Sequence, residues 1–152
     1  MFNVRVYGIL INNQQQVLLS DELINGTLYT KFCGGGLESG EGTIDCVKRE
    51  FMEEINLPVE VTAHFYTTDF YQQSIFNQEH QLISIYYFVK PLQEINFQIS
   101  PVPISLKSDP VKLTHPVKMT ESFRWIEWDD FSADSLSFPI DKVVAGLLKN
   151  KK

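Results

Sequence analysis

The chain has 152 residues, 43% of them hydrophobic and 12% aromatic, which suffices for one packed core and excludes a disordered chain. Its formal net charge of −6 excludes a surface that grips nucleic-acid backbone over a wide area, but not the binding of a single nucleotide whose phosphates meet a cation. No apolar run approaches the ~20 residues of a membrane span, and Arg5 interrupts the first apolar run, so neither a span nor a signal peptide is expected and the expected compartment is the cytoplasm. Cys33 and Cys46 are the only cysteines and form no C-x-x-C pair, so both read as reduced thiols and a zinc site is not expected.

In chain order, Val4 to Ile11 (VRVYGILI) is rich in β-formers and reads as a strand. Asn12 to Gln16 is a polar turn, Val17 to Leu19 a second, short strand, and Asp21 to Thr27 a turn region containing Asn25-Gly26. Leu28 to Phe32 leads as extended chain into the glycines Gly34, Gly35 and Gly36, where a ligand can approach the backbone closely. A helix follows, with Thr43 as its expected N-cap, Asn56 as a left-handed C-terminal residue and Pro58 blocking continuation. At ~100° per residue, Ile44, Val47, Phe51 and Ile55 form the stripe expected to be buried, and Cys46, Glu50, Glu53 and Glu54 an adjacent one.

Beyond the helix, Val59 to Tyr71 reads as a strand or bent hairpin arm, Gln72 to Gln81 as a loop, and the short apolar run Leu82 to Val89 (LISIYYFV) as a central strand. Phe97 to Thr120 carries Pro101, Pro103, Pro110 and Pro116 and reads as a long loop. Glu121 to Trp128 alternates as a last strand, and Ile140 to Lys149 is a closing helix with Ile140, Val143, Val144, Leu147 and Leu148 on its apolar face and Pro139 at its start. The order predicts an α/β fold, a mixed sheet with helices packed on it, in one domain spanning 1–152.

The chemistry concentrates in Gly34 to Leu57. Glu50, Glu53 and Glu54 lie within about one helical turn, where three carboxylates repel one another and each resists ionising. A hard divalent cation such as Mg²⁺ resolves that conflict, since it takes oxygen ligands and keeps room for water and phosphates. Arg49, one turn before Glu53, can hold that carboxylate, and Glu41 can hold the other side of Arg49.

The spacing G-x5-E-x7-R-E-U-x-E-E-x-x-U, carried by Gly35, Glu41, Arg49, Glu50, Phe51, Glu53, Glu54 and Leu57, resembles the box of the Nudix hydrolase family, the MutT-like pyrophosphohydrolases. A chance match of these positions is on the order of one in a million at ordinary residue frequencies. Two positions depart from the family pattern: Asn56 stands for the last glycine, and Cys33 for the usual proline ahead of the glycine pair. The resemblance implies a Nudix-type α/β/α sandwich and hydrolysis of a phosphoanhydride in a nucleoside diphosphate linked to another group, with Mg²⁺ or Mn²⁺. Nucleotide sugars, ADP-ribose, dinucleoside polyphosphates and nucleoside triphosphates are the candidate substrates.

The resemblance further implies that Glu50, Glu53, Glu54 and the Gly35 carbonyl hold metal. Glu50, Glu53 and Arg49 carry catalysis, and Glu41 supports Arg49. The general base is a box glutamate or an outside acid, for which Glu121 is the first candidate and Glu79 the second. Gly34, Gly36, Tyr71 and Lys118 are the expected substrate contacts. Tyr66, Phe70 and Phe76 offer further rings for a base, and Lys107, Lys112 and His115 further groups for phosphates if the proline loop closes as a lid. His64, His80 and His115 have no ligand spacing to one another. The partner is a small nucleotide, with no large nucleic-acid interface and no membrane, and a homodimer is an expectation drawn from the family. The alternative function is a non-catalytic Nudix-fold module that binds a nucleotide metabolite, a class free to lose box glutamates that this chain retains.

Overall fold

The computed structural model describes residues 1–95 and 120–151. The elements run β1 (Phe2–Ile9), β2 (Gln16–Ile24), β3 (Thr27–Lys31), β4 (Cys33–Gly36), α1 (Thr43–Ile55), β5 (Val59–Thr67), β6 (Gln81–Pro91), β7 (Thr120–Glu127), a short 3-10 turn (Ala133–Ser135) and α2 (Pro139–Asn150). The result is the expected mixed α/β fold, with two sheets and two helices. The chain divides into two compact units, one built on β1, β4, α1, β5 and β6, the other on β2, β3, β7 and α2. The proline-rich stretch, with Lys107, Lys112, His115 and Lys118, lies outside the described residues.

In the first unit the sheet order is β4-β1-β6-β5. It is mixed: β1 runs antiparallel to β4 and parallel to β6, and β5 runs antiparallel to β6 with two register shifts. The apolar run expected to be a central strand is β6, paired on both sides. Gly8 of β1 seats α1, because a Cβ there would lie 2.5 Å from Cε1 of Phe51, whose side chain is wholly buried. Val47 and Ile55 are buried with it, each worth roughly 1.5–3 kcal/mol of apolar burial. Tyr86 of β6, also fully buried, stacks on Tyr7 with ring centroids 5.2 Å apart and meets Phe32 edge-on at 5.8 Å.

The helix expectation needs three corrections. Gly42, not Thr43, is the N-cap; Thr43 is the first helical residue, and its hydroxyl lies 2.6 Å from that of Tyr87, tying the helix start to β6. Ile44 is exposed rather than buried, because it sits on the first turn ahead of the packed face. Cys46 is fully buried in its place. Asn56 does take the left-handed conformation, φ 52°, ψ 40°, with its N–H donating to Met52 O at 3.0 Å.

In the second unit β2 lies between β3 and β7, antiparallel to both. Here β2 runs well past Leu19, and the turn is only Asn25-Gly26, with φ of 51° and 82°. The polar run Ser20-Asp21-Glu22 looks like a turn but is buried strand, because each group is satisfied. Asp21 accepts from the Thr30 hydroxyl at 2.6 Å and from Arg124 Nε at 2.7 Å, Glu22 pairs with Lys31 at 3.0 Å, and Ser20 donates to Glu121 at 2.6 Å. In α2, Pro139 opens the helix as expected, but the buried residues are Ile140, Asp141, Val144, Ala145 and Leu148, while Val143 and Leu147 are exposed. Trp128 stacks on Phe131, and the Lys149 ammonium lies 4.5 Å from the Trp128 ring centroid. Among the described residues no helix is long and apolar enough to cross a membrane.

Candidate active site

The glycine strand β4 and helix α1 bring the box residues together, and Arg49 is their hub. Its Nε and Nη2 fork onto the two oxygens of Glu41 at 2.9 and 2.8 Å. Nη1 donates to Glu50 at 3.0 Å and to Glu53 at 3.1 Å, and Nη2 also donates to the Gly36 carbonyl at 3.1 Å. Glu38 stands 3.6 Å from Nη1. One planar guanidinium therefore fixes the loop acid, the loop backbone and two helix carboxylates, a geometry that a lysine point charge cannot reproduce.

Packing fixes the same parts. A Cβ at Gly35 would fall 2.5 Å from the carboxyl carbon of Glu50, so that carboxylate rests directly on the bare loop backbone. Glu50 is mostly covered, its side chain 14% exposed, whereas Glu53 is 59% exposed. The Arg49 fork, with the Glu38 N–H behind it, holds the Glu41 carboxyl down to about 2. Glu41 first, then Glu50, pushes the Arg49 guanidinium up, so it is charged at every working pH.

Cys46 belongs to this site in a way the helical wheel did not reveal. Its thiol donates to the Gly36 carbonyl at 3.5 Å and takes an N–H from Arg49 at 3.6 Å. Burial, with Glu41 adding to it, pushes the thiol up to about 12, so it stays a neutral donor. The sequence signal for it is its place on the helical stripe of Glu50, Glu53 and Glu54.

Tyr71 is exposed in the segment between β5 and β6, as are Phe70 and Phe76, while Tyr66 donates to Asp69 at 2.8 Å. His64 bonds the Thr67 hydroxyl at 2.8 Å, and His80 lies 3.3 Å from the Asn77 amide. The Glu79 carbonyl takes the N-terminal ammonium at 3.1 Å. Glu121 sits in β7 of the second unit, bonded by Ser20 and 3.9 Å from Lys31 Nζ.

The donor set suits a hard divalent cation: three carboxylates on one stretch of helix, one of them, Glu50, seated on the Gly35 backbone, with no soft ligand needed. Among the described residues, however, no three His, Cys, Asp or Glu side chains converge as a ready-made metal cluster. Arg49 Nη1 lies between Glu50 and Glu53 and supplies the positive charge in this arrangement.

Residues 1–147 match the NUDIX domain family. The chain belongs to that family. As a member it is a hydrolase, and the match spans both units. Solved structures agree on the fold. A NUDIX hydrolase from Nitrosomonas europaea has a TM-score of 0.59 at 15% identity, over 100% of this chain and 82% of that one. A MutT NUDIX hydrolase from Burkholderia pseudomallei has a TM-score of 0.62 at 14% identity, over 95% of each chain. A UDP-X diphosphatase has a TM-score of 0.58 at 14% identity, over 93% of this chain and 56% of that one. No curated protein matches the sequence.

Proposed function

We propose that this hydrolase, a single NUDIX domain over 1–152, cleaves the phosphoanhydride of a nucleoside diphosphate linked to a second group, using Mg²⁺ or Mn²⁺. The observation that carries the reading is the Arg49 hub, which joins Glu41, Glu50, Glu53 and the Gly36 carbonyl in one hydrogen-bonded unit. Glu50, Glu53, Glu54 and the Gly35 carbonyl would hold the cation, whose chemistry is to neutralise phosphate oxygens and acidify water. Arg49 orients the carboxylates, and Glu41 keeps Arg49 in place.

Glu53 is the proposed general base, because its carboxylate is the open one, whereas Glu50 is seated on Gly35. Glu121 is the weaker candidate, since the Ser20 hydroxyl and Lys31 hold its carboxylate. Tyr71 offers an exposed ring to the base of the nucleotide. The name of the UDP-X diphosphatase neighbour supports the nucleoside-diphosphate-X class, as does the box.

The test is a panel of ADP-ribose, nucleotide sugars, dinucleoside polyphosphates and nucleoside triphosphates at pH 8 with Mg²⁺, comparing wild type with Glu53→Gln and Glu54→Gln. Cleavage of one class by wild type, lost in both variants, is the expected result. Tight binding of a compound without cleavage of any would move the reading to a non-catalytic nucleotide-binding module.

A further inference from the structure

The peptide that joins Gly36 to Leu37 is gripped from both sides. Its N–H, on Leu37, donates to the Val4 carbonyl at 2.9 Å, beside β1. Its C=O, on Gly36, is met from α1, where Arg49 Nη2 donates to it at 3.1 Å and the Cys46 thiol at 3.5 Å. The peptide is trans, so the two groups point in opposite directions and one rigid plane spans from sheet to helix. β4 ends here and the loop to Glu41 begins, and the far end of that loop is held by the Glu41 fork on Arg49. Just before the plane lies Gly35, on which the Glu50 carboxylate rests. A tilt of the plane therefore shifts the backbone beneath Glu50.

Arg49 and Cys46 serve this carbonyl in different ways. Every N–H of the Arg49 guanidinium is engaged, and apart from the Gly36 bond they pull on Glu41, Glu50 and Glu53. The thiol is wholly buried and sits one helical turn before Glu50. Its sulfur also takes an N–H from Arg49 Nη2 at 3.6 Å, so thiol, Nη2 and the Gly36 oxygen close a triangle. Burial keeps the thiol protonated, and it remains a donor. A cysteine that only filled space would need no acceptor.

We propose that Cys46 is a positioning residue of the hydrolytic site: its S–H bond to the Gly36 carbonyl sets the tilt of the Gly36–Leu37 peptide, and through it the seat of Glu50 on the Gly35 backbone. This rests on the hydrolase reading above and extends it to a residue that acts through the backbone. The role requires a neutral donor at position 46, which separates it from packing.

The experiment compares wild type with Cys46→Ser, Cys46→Ala and Cys46→Val. It reads kcat and KM on the compound that wild type cleaves, Mn²⁺ affinity by calorimetry, and stability by urea denaturation. Cys46→Ser keeps a donor, Cys46→Ala removes it and leaves a gap, and Cys46→Val removes it with the space still filled. In Cys46→Ala and Cys46→Val, kcat should fall about three- to tenfold with KM little changed, and Mn²⁺ binding should weaken by a similar factor. Cys46→Ser should restore most of both. Stability should not follow that order, since a buried hydroxyl leaves Cys46→Ser no more stable than Cys46→Val. Wild-type kcat and Mn²⁺ affinity in Cys46→Val would overturn the role and leave the hydrolase reading standing. A Cys46→Ser enzyme as impaired as Cys46→Val would overturn it too, because packing would then account for both. If either apolar variant does not fold, the other decides against Cys46→Ser. A wild type that cleaves nothing overturns the hydrolase reading instead, and the Mn²⁺ titrations still decide the positioning; a wild type that neither cleaves nor binds Mn²⁺ brings down both.

Discussion

Arg49 and Arg124 each hold a carboxylate, but in settings that give the bonds different work. Arg49 spreads its donors over Glu41, Glu50, Glu53 and the Gly36 carbonyl, from a helix whose acids are partly open to water. Arg124 serves Asp21, a carboxylate with no exposed surface, shared only with Thr30 among the bonds described above. A buried ion pair is expensive to assemble and more expensive to break, because the surviving partner is left charged and dry. An open one contributes little stability and can be spent on positioning groups for chemistry. The first centre should therefore announce itself in rates and the second in stability.

The largest effect should come from the buried centre. Asp21→Ala is expected to lose about 3–5 kcal/mol, since Arg124 and Thr30 lose their acceptor, and urea denaturation measures it. A loss below about 1 kcal/mol would break the contrast. Next comes Arg49→Lys, which keeps the charge but not the fork: turnover should fall about ten- to hundredfold with a stability change under about 1 kcal/mol, read by kinetics beside urea melts of the same preparation.

A smaller effect is pH-dependent. Because the Glu41 carboxyl drops from 4.5 to about 2 on folding, its bond to Arg49 stabilises fully above 4.5 and is lost as pH falls toward 2. Thermal melts should show wild type losing its advantage over Glu41→Gln across that interval. A constant gap across that interval would mean that the hub does not depend on the Glu41 charge. The smallest effect lies at the helix end. Asn56 already occupies the left-handed region, so Asn56→Gly should gain about 0.5 kcal/mol and Asn56→Ala lose about 1 kcal/mol, both by melts.

The same two centres explain what could be read in the residues. Every part of the Arg49 hub lies between Gly36 and Glu53, on the end of one strand, one loop and one helix, so spacing alone brings it together. The wheel went wrong only where the helix meets its strand: Ile44 precedes the packed face, and Cys46 turns inward to the Gly36 carbonyl. The Asp21 centre joins residues about a hundred positions apart through strand pairing, and nothing local in Ser20-Asp21-Glu22 distinguishes a buried polar strand from a turn.

The stack of Trp128 on Phe131 beneath Lys149 has a practical consequence. Both of the chain's 2 tryptophans, Trp125 and Trp128, belong to the second unit, while the first contributes tyrosines and phenylalanines alone to the ultraviolet spectrum. Indole emission is thus a local optical gauge of one half, and far-ultraviolet dichroism reports on both. Coincident transitions by the two signals would mean that the halves melt as one cooperative body; separated transitions would mean that each keeps its own melting point.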